Sequence, residues 1–120
     1  MTLVSLVFGG SQAARERAIA AAIEPELSSS AIIEGMPSGE AALEDLQQDT
    51  DLEVFRVVAG CPCCSGNLTI RVTLNRALKR RPQRLYLSLS NAGHKSQVVN
   101  FLQEPQYRAL LEIGPDIDCS

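Results

Sequence analysis

Tryptophan is absent from this chain of 120 residues, and aromatic side chains make up only 4% of it. Aliphatic residues must therefore fill the core of what is already a small protein. A single histidine is present, and no spacing of nucleophile, base and orienting group suggests a catalytic set. Ser90 and His94 lie four apart, but on a strand-to-loop stretch that spacing implies no contact. No apolar run approaches the ~20 residues that span a bilayer, so no membrane partner is expected. The N-terminal run, Met1 to Phe8, lacks the positive charge that opens a secretory signal and reads as a strand. Lys and Arg are missing between Ala18 and Phe55, where nine acids occur. With a net charge of -3, nucleic acid is not an expected partner. Neither a repeat nor a low-complexity linker breaks the chain, and one domain over residues 1–120 is expected.

Against these absences, 45% of the residues are hydrophobic and 21% charged, the composition of an ordinary compact protein. Short apolar runs alternate with helical patterns. Leu3 to Phe8 reads as a strand buried on both faces, and Gly9-Gly10-Ser11 ends it. Ala13 to Ile23 is alanine-rich and stops before Pro25, a helix. Ala31 to Gly35 is a second strand, and Ser38 suits the N-cap of a polar helix from Gly39 to Gln48. Val54 to Ala59 is a third strand. In the helical run from Leu68 to Arg80, the residues Ile70, Leu74, Ala77 and Leu78 share one face. Leu85 to Ser90 is a fourth strand. A helix beginning near Ser96 and a short one from Gln106 to Leu111 follow, and the tail from about Gly114 reads as irregular. Alternation of this kind implies an α/β fold, a small, mainly parallel sheet of about four strands with helices on both faces. Such a sheet leaves an edge unpaired, which the tail after Leu111 or a second subunit of a homodimer would cover.

Cysteine is concentrated in one place. Cys61, Cys63 and Cys64 fall within Gly60-Cys61-Pro62-Cys63-Cys64-Ser65, between the third strand and the helix after it. Thiols at a strand-to-helix turn face the positive end of the helix, which favours thiolate, the form that binds metal and attacks disulfides. Three close thiolates suit Zn²⁺ or Cu⁺. His94 and Cys119 are candidates for a further ligand. Packing alone explains three cysteines in four residues poorly, although cysteine is a common interior residue. Clustered thiols without structural disulfides suit the cytoplasm. A dithiol redox role is the alternative, without a thioredoxin-like pattern to support it.

The first strand, its glycines and the helix after them stand where a phosphate loop would. Aligned on the pattern G-x-x-x-x-G-K-S/T, the chain reads Gly9-Gly10-Ser11-Gln12-Ala13-Ala14-Arg15-Glu16. Ala14, Arg15 and Glu16 stand for the second glycine, the lysine and the hydroxyl. A carboxylate in place of the Mg²⁺-holding hydroxyl adds negative charge beside phosphates, so GTP with Mg²⁺ is not expected to bind well.

The Gly60-Cys61-Pro62-Cys63-Cys64 motif, the helix with Leu74, Ala77 and Leu78, and the stretch Pro82 to His94 resemble the CobW-type P-loop GTPases. These are nucleotide-dependent metal chaperones. The resemblance implies their fold and a metal motif; the thiolates favour zinc, with copper as the alternative, and a client metalloprotein is an expected partner. Several family features differ here. The acidic residue of the switch strand falls at Ser88, its glycine at Asn91, and an acid shortly before the cysteines at Arg56. No N-K-x-D segment is present. These departures point to a shortened relative with a degenerate loop that does not hydrolyse GTP. The alternative is a GTP-binding metallochaperone GTPase with an atypical loop.

Overall fold

A computed structural model describes residues 2–35, 43, 46–47, 50–57, 65–90, 93 and 95–119 of the chain. Six strands and four helices are delimited in it: β1 (Thr2–Phe8), α1 (Gln12–Ala22), β2 (Ser29–Glu34), β3 (Leu52–Val57), α2 (Ser65–Lys79), β4 (Arg84–Ser88), α3 (Lys95–Leu102), α4 (Pro105–Arg108), β5 (Leu111–Ile113) and β6 (Ile117–Asp118). Leu43, Leu46 and Gln47 are helical as well, inside the span expected for a polar helix; Ser38, its expected cap, lies outside the described residues. The strand order is β3-β2-β4-β1-β5, with β6 also on β1. Every pairing is parallel.

The period-2 alternation of the strands splits the interior into two layers. Val4, Leu6, Ile32, Leu85 and Leu87 face the layer beneath α2, α3 and α4, with Leu74, Val98, Phe101 and Tyr107. Val7, Ala31, Ile33, Leu52 and Tyr86 face the other, with Ile19 of α1 and Leu43. Helices thus cover both faces, as expected, and aliphatic side chains dominate both layers. Each fully buried Leu, Ile or Val contributes roughly 1.5–3 kcal/mol relative to exposure. Arg71 on α2 ties the first of these layers together. Its guanidinium forks onto Glu104 at 2.8 and 2.7 Å and lies 4.8 Å from the Phe101 ring centre.

Two expectations need correction. Among the described residues the sheet has six strands rather than about four, and the tail is not irregular throughout: residues 114–116 and Cys119 are, but Ile117–Asp118 between them is a strand. Leu111, expected to end a helix, opens β5, and Ile117–Asp118 forms β6. Neither strand is long enough to show a pattern of its own; the open edge of β1 specifies them. Gly114 donates its N–H to the Val4 carbonyl at 2.7 Å, and Cys119 to that of Phe8 at 2.8 Å. The tail therefore covers this edge, one of the two coverings expected. Among the described residues no helix is long and apolar enough to cross a membrane.

At the end of α2, Arg81 adopts φ +51° and donates its N–H to the Leu78 carbonyl at 3.0 Å. Glycine ordinarily takes this left-handed closing position, because a Cβ there is strained. Arg81→Gly is therefore expected to raise stability by about 1 kcal/mol in urea denaturation. A loss would mean that the arginine side chain carries structural weight.

Candidate functional site

The junction of β1 and α1 holds the most unusual polar chemistry among the described residues. Gly9 and Gly10 take φ +81° and +61°, turning the chain sharply at the carboxyl end of β1. Ser11 then caps α1, accepting the N–H of Ala14 at 3.1 Å. Arg15 and Glu16 follow in the first turns of α1 and point towards the sheet. Arg15 is only 5% exposed and Glu16 1%.

Arg15 fills the inside of the turn. Its Nη1 donates to the carbonyls of Gly10 at 2.9 Å and Gly9 at 3.2 Å. Its Nε donates to Ser88 Oγ at 3.2 Å. Glu16 reaches the other way. Its Oε1 accepts from Nη2 of Arg56 at 2.9 Å, and its Oε2 from Nη1 of Arg56 at 3.3 Å. Gln12, one turn earlier, donates to Oε2 at 2.9 Å. Burial pushes the Glu16 carboxyl up, but the hydrogen bonds from Arg56 and Gln12 and the charges of Arg56 and Arg15 outweigh it. The net result holds Glu16 below its ordinary value.

Sheet register explains why these four side chains meet. Arg56 on β3 pairs with Ile33 on β2, Ile33 with Ser88 on β4, and Ser88 with Val7 on β1. Arg56 and Ser88 thus stand in one row across the sheet, on the face that α1 covers. Ser88 and Arg56 are the positions at which acids are expected from the resemblance, and Arg15 and Glu16 those of the lysine and hydroxyl. The polarity of the pairing is reversed: cation on β3, anion on α1. No single departure would have revealed this, but the four together form a complementary set.

The tail closes the outside of the same turn. Cys119 follows β6 and packs its backbone against Gly10; a Cβ at Gly10 would stand 2.6 Å from the Cys119 carbonyl oxygen. Gly10→Ala is expected to cost about 2 kcal/mol through this clash, measured by denaturant titration. An unchanged midpoint would show that the tail yields freely. Lys95, at the start of α3, pairs with Asp116 of the tail and stands 4.8 Å from the ring centre of Phe8.

Of the expected metal ligands, Cys61, Cys63, Cys64 and His94 lie outside the described residues. The elements on either side of the thiols are described: β3 ends at Val57 and α2 begins at Ser65. Glu34, 2% exposed at the end of β2, was not singled out from the sequence. Its Oε1 accepts both the N–H and the hydroxyl of Ser90 at 2.8 Å, joining the carboxyl ends of β2 and β4. Cys119 is a free, half-buried thiol. β6, which it follows, pairs with β1 and so lies four strand spacings of ~4.8 Å from β3. Among the described residues no group of three or more His, Cys, Asp or Glu side chains is gathered to hold a metal ion.

These features define a class, a parallel α/β protein whose first strand-to-helix turn is filled by its own arginine. Over 77 residues, 62% of its length, the chain is 29% identical to the zinc chaperone YeiR of Escherichia coli (strain K12). The match takes in 24% of that protein, so the chain spans about a quarter of the relative's length. No protein-family model matches the chain, and no solved structure does.

Proposed function

We propose that this protein binds zinc as cargo through Cys61, Cys63 and Cys64 and hands it to a client protein without using nucleotide. The observation that carries the reading is the similarity to a zinc chaperone in a chain whose sequence holds three cysteines in four residues. Thiolate is the preferred donor for Zn²⁺, and three thiolates leave one tetrahedral position open. That position would go to His94, Cys119 or a ligand from the client. An incomplete set of this kind suits a metal that must be passed on.

The β1–α1 turn supports the absence of nucleotide from the cycle. A phosphate loop works by directing backbone N–H groups and a lysine at phosphate oxygens, with a hydroxyl on Mg²⁺. Here the Arg15 guanidinium already bonds the carbonyls of Gly9 and Gly10, and Cys119 packs on Gly10. The side chain at the Mg²⁺ position, Glu16, is committed to Arg56. GTP with Mg²⁺ does not fit this arrangement. Calorimetry is expected to give a Kd of ~1 mM or weaker for GTP with Mg²⁺; micromolar affinity would restore the GTPase alternative.

Zinc binding itself is tested by competition against a chromophoric chelator. Saturable uptake of zinc is expected, and failure to compete with a weak chelator overturns the reading.

A further inference from the structure

Arg56 is the next-to-last residue of β3, and the chain leaves the sheet for the thiols after Val57. Cys61 follows Val57 by four residues, and Cys64 stands directly before Ser65, the first residue of α2. Covalent reach alone keeps Cys61 within about 14 Å of Val57. How readily the thiols gather on a metal therefore depends on how firmly these two ends are held. Ile70 and Leu74 bury α2 in the first layer. The end of β3 has less support. β3 closes the strand order, and among the described residues it pairs with β2 alone.

Two contacts fasten that end. Gly35, just after β2, donates its N–H to the Val57 carbonyl at 2.8 Å. One residue earlier, the guanidinium of Arg56 forks onto both carboxylate oxygens of Glu16, at 2.9 and 3.3 Å, and so joins β3 to α1. Gln12 links the two contacts. It donates to Glu16 at 2.9 Å, and its Oε1 stands 2.5 Å from where a Cβ on Gly35 would be. Stability alone does not account for charges here. An apolar pair of similar volume would join α1 to β3 at equal or lower cost. What it would lack is direction: a two-point fork fixes orientation as well as distance.

We propose that Glu16 and Arg56 are positioning residues for zinc capture by Cys61, Cys63 and Cys64, a role that rests on the zinc reading of those thiols. The fork holds the end of β3 in one place, so that less of the ordering of the thiols is left to the metal. Removing groups that support metal ligands typically weakens a site 10–100-fold although every ligand remains.

The test compares the wild type with Glu16→Ala/Arg56→Met, which removes the fork and strands no charge. Zinc affinity is read by competition against a chromophoric chelator, stability by the Tm, and the hold on β3 by amide hydrogen exchange in the apo proteins. At a Tm close to that of the wild type, the double variant should bind zinc about tenfold more weakly. The amides of β3 should exchange faster in it, and those of β1 and β4 should not change. Arg56→Lys is a second variant that keeps the charge and loses the fork; it should weaken zinc about threefold. Wild-type zinc affinity in either variant would overturn the proposal and leave the thiol reading standing. Weakened zinc with unchanged exchange of β3 would overturn it too, because the loss would then not arise at the end of that strand. A wild type that takes up no zinc would overturn both readings.

Discussion

Replacing Glu16 with alanine is expected to lower the free energy of unfolding by about 3 kcal/mol. The carboxylate is 1% exposed and accepts from both Arg56 and Gln12. Its removal takes from Arg56 the carboxylate to which both of its Nη atoms donate, and from Arg15 a neighbouring negative charge. Arg56 keeps 17% side-chain exposure, so water relieves part of the cost and the lower end of the buried-pair range applies. The double variant Glu16→Ala/Arg56→Met should recover most of the loss, because an apolar pair has no charge to strand. Urea denaturation checks both. A loss below about 1 kcal/mol in the single variant would show that the pair is decorative. The pH dependence follows from the direction of the shift. Glu16 titrates below its ordinary value in the folded protein, so its contribution is complete above the unfolded carboxylate pKa. It is lost as pH falls through the lower, folded one. Glu16→Gln should therefore flatten the acid limb of the stability curve and leave the neutral-to-alkaline limb unchanged in slope.

For the metal, Cys63→Ser is expected to weaken zinc binding about 100-fold or more, beyond the 10–100-fold typical of supporting residues. That corresponds to at least ~2.7 kcal/mol. The metal displaces a proton from each thiol that it takes, so wild-type affinity should fall as pH falls. With three thiol ligands the dependence should be steeper than in the serine variant. Chelator competition at several pH values reads both. Equal affinity in the two proteins would sink the thiol reading. Apo wild type and apo Cys63→Ser should share one Tm, because the two aliphatic layers hold the fold without metal. A large difference in apo stability would instead return the cysteines to a packing role.

The main strands and helices were legible because their signals are local. Leu3 to Phe8 and Leu85 to Leu89 are apolar runs too short for a buried helix. Ile70, Leu74, Ala77 and Leu78 repeat at helical spacing. Pro25 and Pro82 mark the ends of α1 and α2. The departure of Arg15 and Glu16 from the phosphate-loop pattern was legible too, since it is read position by position. β5 and β6 were not. Three and two residues respectively carry no periodicity, and what makes them strands is the hydrogen-bonding edge of β1, far away in the chain.

The sequence by itself determined the α/β class, the aliphatic core and the substitutions of the lysine and hydroxyl in the β1–α1 turn, because each depends on neighbours along the chain. Only the tertiary structure decided what those substitutions do. Parallel register brings Arg56 and Ser88 into one row, 32 residues apart in number, and lays α1 across it. Arg15 and Glu16 thereby become one satisfied, buried network rather than two defects. A buried charge persists only when its partner is held beside it, and that partner was chosen by the pairing of strands, which no local pattern in the chain records.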